Sequence, residues 1–220
     1  LDETALDSVT LTIDGVQKKL VAYDLSMVSL GNSYLCHGYA EWFNKDAYNG
    51  WINSTDIIRG MAASEPDLDY YGRIQYYINQ NFNCSLKANR FANNLIEIAW
   101  KKGLANQSDA SNHEGFDYVK AKNAILSAMT AQLKYIEEEQ TNIITIQLAE
   151  NAQFGSYGEI ASFFYDTVFA AVDEVRPEES VVVVITPFGS NAATNAEITK
   201  AMEYGFYVAN CTDMTDKKWQ

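Results

Sequence analysis

Residues 180–211 read SVVVVITPFGSNAATNAEITKAMEYGFYVANC. The run Val181–Ile185 is short, unbroken and almost entirely β-branched, which is typical of a strand buried on both faces of a sheet. Pro187-Phe188-Gly189 predicts a turn, the residues up to Tyr204 predict a helix, and the apolar run 206–208 predicts another strand. The stretch therefore predicts a β-α-β unit with a right-handed crossover.

The residues before this unit extend it toward the N-terminus. Residues 142–148 form an apolar-rich run that predicts a strand. Ser156-Tyr157-Gly158-Glu159 is a capping box, in which the Ser and Glu side chains each satisfy a free backbone amide. It predicts the start of a helix that ends at Arg176-Pro177. Together these segments predict a β-α-β-α-β C-terminal half with three parallel strands.

A long helix is predicted to pack on that half. Ser111-Asn112-His113-Glu114 is a second capping box, and the apolar pattern after it continues to Glu139. We expect one face of this helix to be buried along its length. The residues expected on that face are Val119, Leu126, Met129, Leu133 and Ile136.

The N-terminal part predicts a β-hairpin. Residues 9–13 alternate apolar and polar side chains, and residues 16–23 provide a partner of similar length. Asp14-Gly15 between them is a strong hairpin signal, because a type I′ turn needs positive φ at both central residues.

The middle of the chain predicts helices. Apolar residues recur at helical spacing over residues 25–48, 55–63, 64–78 and 86–102. Ser64-Glu65-Pro66 is expected to start the third of these helices, and Gly103 to end the fourth in the left-handed conformation. The side chains expected on the buried face of the third helix are Tyr71, Ile74, Tyr77 and Ile78.

These elements predict an α/β fold with an N-terminal hairpin, a helical middle region and a parallel C-terminal half. The polar stretch 105–110 shows no apolar periodicity and is the expected boundary between an N-terminal part, residues 1–104, and an α/β half, residues 111–212. We expect the two parts to form one compact domain.

Charge and hydropathy exclude several classes of protein. The net charge is −13, a sign that repels phosphate backbones, so nucleic acid is not expected as a partner. The sequence contains no run of about 18 apolar residues, so no membrane span is expected. The N-terminus is acidic and lacks an apolar segment, so no retained signal peptide is expected and the protein is expected to be soluble.

Neither a metal nor a cofactor is expected. Cys36, Cys84 and Cys211 are too few and too scattered for a disulfide framework or a zinc site. His37 and His113 have no companions at metal-ligand spacing.

The loop after Val181–Ile185 is the candidate ligand site. Open α/β sheets bind ligands beyond the carboxyl ends of their strands, and the helix N-terminus that follows can hold an anion. The candidate ligand-binding residues are Gly189, Ser190, Asn191 and Thr194. A single glycine is fewer than a phosphate loop needs, so an ordinary strand-to-helix turn is the alternative.

The segment Ala193-Thr194-Asn195-Ala196-Glu197 resembles the Gly-Thr-x-x-Glu segment of nucleoside 2-deoxyribosyltransferases, over about 20 residues. The resemblance implies that Glu197 is a nucleophile on a helix that follows a parallel strand. The sequence departs from the family in having Ala193 in place of its glycine. Thr194 and Glu197 also fit a third capping box, which explains both residues without chemistry.

Two classes of function follow. The first, which we favour from sequence, is a non-catalytic structural or assembly protein of a viral, phage or cell-surface particle, with self-association or protein partners. It depends on the many aromatic residues (14 Tyr, 10 Phe, 4 Trp), which suit interfaces, and on the acidic composition. The second is a small-molecule enzyme, an N-glycosidic hydrolase or transferase with Glu197 as its nucleophile.

Overall fold

The computed structural model of the chain describes residues 7–13, 16–31, 70–81, 84–107, 109, 111–148, 152–154, 158–187 and 192–212. The strands within these residues are β1 (Asp7–Ile13), β2 (Val16–Gly31), β3 (Cys84–Ala92), β4 (Ile143–Gln147), β5 (Val181–Ile185) and β6 (Tyr207–Ala209). The helices are α1 (Tyr70–Asn81), α2 (Asn94–Ala99), α3 (Tyr118–Glu138), α4 (Gly158–Val175) and α5 (Ala192–Glu203), with a 3₁₀ helix at Trp100–Gly103.

Five strands form a parallel sheet in the order β3-β2-β4-β5-β6. Strands β4, β5 and β6, with α4 and α5 between them, are the predicted β-α-β-α-β half, so the α/β class is confirmed. The sheet is larger than predicted, because β2 and β3 add two parallel strands from the N-terminal part of the chain.

β2 has different partners along its length. Its first part pairs antiparallel with β1, with Ile13 opposite Val16 and Asp7 opposite Ala22. From Tyr23 onward the same strand pairs in parallel with β3. The predicted turn residues Asp14-Gly15 lie outside the described residues.

The helix predicted over residues 25–48 is wrong in its described part, because residues 25–31 continue β2. Met27, Val28 and Leu30 are fully buried there, and β3 and β4 pair with the strand on its two edges. A strand covered on both faces lacks a clean alternation of apolar and polar residues, so its period is easily mistaken. Residues 32–69 lie outside the described residues. The other helices and helix starts predicted in that range are therefore not described.

The helix predicted over residues 86–102 is wrong in its first half. Residues 84–92 form β3, in continuous register with β2, and pairing with this neighbour overrides the helical spacing. Gly103 does not end the helix in the left-handed conformation. A Cβ at Gly103 would lie 2.6 Å from the backbone oxygen of Asp117, so close approach of the backbone explains the glycine.

α1 confirms the helix predicted around residues 70–78 but only part of its buried face. Tyr71 and Ile78 are buried and Ile74 is half-buried. Tyr77 is 60% exposed, so it does not belong to that face.

α3 begins later than predicted. Its N-cap is Asp117, whose carboxylate accepts a hydrogen bond from the Lys120 backbone N–H at 2.9 Å. The predicted cap, Ser111, instead donates to the Asp109 carboxylate, from Oγ at 2.5 Å and from the backbone N–H at 3.1 Å. These bonds hold the pKa of Asp109 below its usual value.

The buried face of α3 is also partly different from the predicted one. Met129 and Ile136 are fully buried, as expected, whereas Val119 is 71% exposed. A strict seven-residue repeat drifts around a straight helix of 3.6 residues per turn, so it overestimates the buried set. The fully buried residues are Ala121, Ile125, Met129, Gln132 and Ile136.

Helices cover the two faces of the sheet unequally. The main core lies between α3, α4, α5 and the face that carries Val28, Leu30 and Ile144. On the opposite face, Tyr71 of α1 packs with Met27. Val181 on that face is 41% exposed, so the prediction that β5 is buried on both faces holds for one face only.

An ion-pair network joins α4 to α5. Lys200 Nζ lies 3.3 Å from the Asp166 carboxylate and 2.7 Å from the Glu203 carboxylate. The hydrogen bond to Glu203, together with that to Asp166, raises the pKa of Lys200 above its usual value. None of the described helices, α4 included, is long and apolar enough to cross a membrane.

Candidate functional site

The topology of the sheet reverses at β2. From β2 the described order runs outward to β3 on one side and to β4, β5 and β6 on the other. In open α/β sheets a crevice forms outside the carboxyl ends of the strands at such a reversal, because the crossovers leave in opposite directions. β2 ends at Gly31 and β4 at Gln147, and these residues are register partners. The crevice between them is the candidate active site.

A row of polar side chains leads to this crevice along one face of β2 and β4. Ser29 and Thr145 are register partners, both are buried, and their hydroxyl groups hydrogen-bond to each other. Gln147 follows Thr145 by two residues and therefore projects from the same face. The other face of the same strands is apolar and carries Val28, Leu30, Ile144 and Ile146.

Gln147 is the polar residue at the end of that row. The residue is 3% exposed, and its register partner is Gly31, which has no side chain. Its position at the carboxyl edge suits contact with a bound polar group.

Asn93, the residue that follows the neighbouring strand β3, holds the end of β2 in place. Its backbone N–H donates to the Gly31 carbonyl at 2.7 Å. Its side-chain oxygen accepts from the Leu95 backbone N–H at 3.0 Å, and its side-chain nitrogen donates to the Ala128 carbonyl at 2.9 Å. One buried side chain thus ties β3 to α2 and α3 at the point where β2 ends.

Trp100 fixes the segment that follows β4. Its indole N–H donates to the Ala152 carbonyl at 2.8 Å, and its ring is fully buried against Phe154. Next to it, Lys101 Nζ donates to the Gln153 side-chain oxygen at 2.9 Å. The segment 93–101 therefore contacts both sides of the crevice.

The loop proposed from sequence is only partly described. Gly189, Ser190 and Asn191 lie outside the described residues, while Thr194 and Glu197 are fully buried on α5. α5 begins at Ala192, so Thr194 lies inside its first turn and is not its N-cap. The capping-box explanation of Thr194 and Glu197 is therefore wrong, and a buried carboxylate remains on the helix after β5.

The second loop at this edge is held by a threonine. Thr186, the residue after β5, is fully buried, and its hydroxyl oxygen accepts from the Cys211 backbone N–H at 2.8 Å. The bond links the end of β5 to the segment after β6.

Among the described residues, no group of three His, Cys, Asp or Glu side chains is arranged to hold a metal ion. His113 lies instead against aromatic rings, with its centroid 5.8 Å from that of Trp100 and 6.4 Å from that of Phe116. His37 and Cys36 lie outside the described residues.

The sequence does not predict the crevice because it predicts a helix, and not the second half of β2, over residues 25–31. Gly31 is therefore not expected at a strand end beside Gln147, which the predicted strand 142–148 contains. The run of residues 25–31 has no clean apolar–polar alternation, so its period gives no clear signal of a strand.

Comparisons with known proteins find distant structural likeness alone. No protein-family model and no curated protein matches the chain. One similar solved structure is from Bacteroides ovatus and is described as a "putative GDSL-like lipase"; it is 15% identical, covers 88% of each chain and has a TM-score of 0.46. Another is protein YXIM from Bacillus subtilis, with 14% identity and a TM-score of 0.41 over 89% of this chain, which spans about half (49%) of that protein.

These comparisons correct the function that the sequence favoured. The hypothesis of a structural, assembly or virion protein is wrong: the similar structure from Bacteroides ovatus is described as a lipase and not as a particle component. Among the described aromatic residues, which had suggested an interface, Trp100, Phe164 and Phe169 are fully buried in the core.

Proposed function

We propose that this chain is a hydrolase of small carboxylic esters that acts in the crevice between the ends of β2 and β4. The observation that supports it is the register pair Gly31 and Gln147 at the reversal of the sheet, where a residue without a side chain lies beside a buried amide. The pair places the ends of the two strands side by side at the edge where open α/β sheets bind their ligands.

The role of Gln147 is to stabilise negative charge. When a nucleophile adds to an ester carbonyl, the oxygen becomes an oxyanion, and a donor fixed in advance stabilises it most where water is excluded. The Gln147 side-chain nitrogen carries two N–H groups and lies on a rigid strand rather than on a loop, and in this proposal one of the two donates to the oxyanion.

The nucleophile in this proposal is Ser33. It follows Gly31 by two residues in the chain and is the first side chain after β2 that carries a nucleophilic oxygen or sulfur. Ser33 itself lies outside the described residues. Its Oγ would bond to the ester carbonyl carbon, the alcohol would leave with a proton, and water would then cleave the acyl-serine bond to release the acid.

A serine nucleophile needs a base, and the chain has two histidines, His37 and His113. Replacing each histidine by Asn distinguishes them, because only loss of the base should lower kcat by orders of magnitude. His113 packs on Trp100 and Phe116, so we expect its replacement to affect stability more than turnover.

An ester is the bond to assay first for two reasons. The net charge of −13 disfavours strongly anionic substrates, so a neutral ester is preferred to a phosphoanhydride. The name of the Bacteroides ovatus protein also directs the choice of assay, although the likeness itself is evidence only for the fold.

Turnover of p-nitrophenyl acetate and butyrate tests the proposal. Wild-type protein should release p-nitrophenol catalytically, and Ser33→Ala should lower kcat by about 10³-fold or more with the fold intact. Ser127→Ala, at an exposed serine of α3, is the matched control and should retain wild-type kcat. Equal turnover by Ser33→Ala and wild type would reject Ser33 as the nucleophile.

A second candidate is supported by the burial of Glu197. A fully buried carboxylate on the helix after a parallel strand fits the role of nucleophile on an N-glycosidic bond, as the resemblance to nucleoside 2-deoxyribosyltransferases implies. Release of free base from nucleosides is the assay. Glu197→Gln should abolish that release, while Glu203→Gln, an exposed position on the same helix, should not. Absence of release by wild-type protein would remove this candidate.

A further inference from the structure

We propose that residues 93–101 form a clamp that positions the carboxyl end of β2 and residues 152–154 after β4, with Asn93 and Trp100 as positioning residues. The effect of the clamp on catalysis depends on the proposed function. Its two contacts, at Gly31 and at Ala152, are independent of any substrate.

The contact on the β2 side is made by the backbone of Asn93. The N–H of Asn93 donates to the carbonyl of Gly31, the last residue of β2, at 2.7 Å. This bond sets where the chain leaves the sheet immediately before Asn32 and Ser33.

The side chain of Asn93 determines where that backbone lies. It is 4% exposed, and its two polar atoms bond to different helices, the oxygen to the Leu95 N–H of α2 and the nitrogen to the Ala128 carbonyl of α3. An alanine would lose both bonds, so residue 93 could move relative to α3 and the Gly31 carbonyl would lose its fixed partner. The Asn93 side chain is thus coupled to β2 through the backbone N–H of the same residue.

The contact on the β4 side is made by Trp100. Its indole N–H bonds to the Ala152 carbonyl, five residues after β4 ends at Gln147. The buried ring allows little movement of residues 152–154. Phe in its place would keep most of the ring packing and remove the donor alone.

Because Asn93 and Trp100 belong to one short segment, a shift of that segment would displace both sides of the crevice together. A reacting geometry is sensitive to such shifts, since a displacement of about 1 Å can lower a rate about 100-fold. We therefore expect each substitution to act on kcat and to leave substrate affinity nearly unchanged.

Two matched controls lie away from the crevice. Asn142 is the corresponding asparagine at the opposite, amino edge of the sheet: its side-chain oxygen accepts from the Ser26 N–H at 2.9 Å. Tyr204 corresponds to Trp100 as an aromatic donor, with its hydroxyl 3.3 Å from the Asp166 carboxylate. Asn142→Ala and Tyr204→Phe remove similar bonds without touching the clamp.

The experiment measures ester turnover and amide hydrogen exchange on the full chain. Asn93→Ala and Trp100→Phe should each lower kcat about 10- to 100-fold with KM within about threefold of wild type, whereas both controls should keep kcat within about twofold. Exchange of the residue 93 amide, which donates to the Gly31 carbonyl, should speed up in Asn93→Ala and not in Asn142→Ala. Asn93→Ser, which keeps an oxygen that can cap α2, should be intermediate in both measurements.

The outcomes separate the two proposals. A wild-type protein without esterase activity would reject the proposed function, and the exchange data alone would then decide the clamp. Unchanged exchange of the residue 93 amide in Asn93→Ala, or wild-type kcat in both clamp variants of an active enzyme, would overturn the clamp. If Asn93→Ala does not fold, Asn93→Ser and Trp100→Phe give the same decision.

Discussion

Gly31 and Gln147 are register partners at the carboxyl ends of β2 and β4, where the strand order of the sheet reverses. Both residues therefore lie at the edge where α/β sheets bind ligands. This pairing carries the proposed chemistry, and the first prediction concerns it.

Gln147→Leu should lower kcat for ester hydrolysis by about 100-fold or more, because the proposed oxyanion loses a fixed donor. The same chemical change at Gln132, a fully buried glutamine on α3, is the control and should leave kcat near the wild-type value. Stopped-flow measurement of p-nitrophenol release gives both numbers. Equal effects of the two substitutions would mean that Gln147 only stabilises the fold.

Substitutions of Ser29 and Thr145 should have coupled effects on the free energy of unfolding. Ser29→Ala would leave the buried Thr145 hydroxyl without this bond and should lower the free energy of unfolding by about 1–3 kcal/mol. Adding Thr145→Val removes the second hydroxyl and should recover part of the loss. Urea unfolding of both single variants and the double variant measures the coupling, and strict additivity would show that the hydroxyl groups do not depend on each other.

Gly103→Ala should destabilise the fold because the new Cβ would lie too close to neighbouring atoms, and not because of the backbone conformation at residue 103. The new Cβ would lie 2.6 Å from the Asp117 backbone oxygen and 2.8 Å from the Phe116 ring, so we expect a loss of about 1–3 kcal/mol. Gly115→Ala is the comparison, since Gly115 has φ +69° and open space around it, and should cost about 1 kcal/mol through backbone strain. Thermal unfolding that ranks Gly115→Ala as clearly the more harmful change would contradict this view of residue 103.

The ion pairs of Lys200 should give a pH dependence above pH 10. Since the hydrogen bonds to Glu203 and Asp166 raise the pKa of Lys200, its contribution to stability is complete below about pH 10.5 and is lost as the pH rises through the higher folded-state pKa. The difference in Tm between wild type and Lys200→Gln should therefore shrink as the pH increases above 10.5. A difference that stays constant up to pH 12 would exclude this pair as its cause.

The C-terminal half of the fold could be predicted from sequence, and physical reasons explain why the rest could not. Val181–Ile185 is a homogeneous β-branched run whose preference for strand agrees with its surroundings. In residues 25–31, by contrast, Ser26 and Ser29 interrupt the apolar run, and the strand is specified by pairing with distant residues such as Asn89 and Thr145.

The candidate site was harder to predict for the same reason. Gly31 and Gln147 are separated by more than 100 residues in the chain and become neighbours only through the sheet register. Their importance comes from the reversal of strand order, which is a property of the assembled sheet. Thr194 and Glu197, in contrast, attracted attention through local spacing, and burial of both is now the observation that any role for them must explain.

Covalent labelling tests the central claim most directly. A fluorophosphonate ester phosphonylates an activated serine with release of fluoride, and the labelled protein can be digested and mapped by mass spectrometry. Wild-type protein should gain one phosphonyl group on the peptide that contains Ser33, Ser33→Ala should gain none, and an excess of p-nitrophenyl butyrate present during the reaction should slow the labelling. An active esterase that is labelled on another residue, or not labelled at all, would contradict a serine nucleophile at the end of β2.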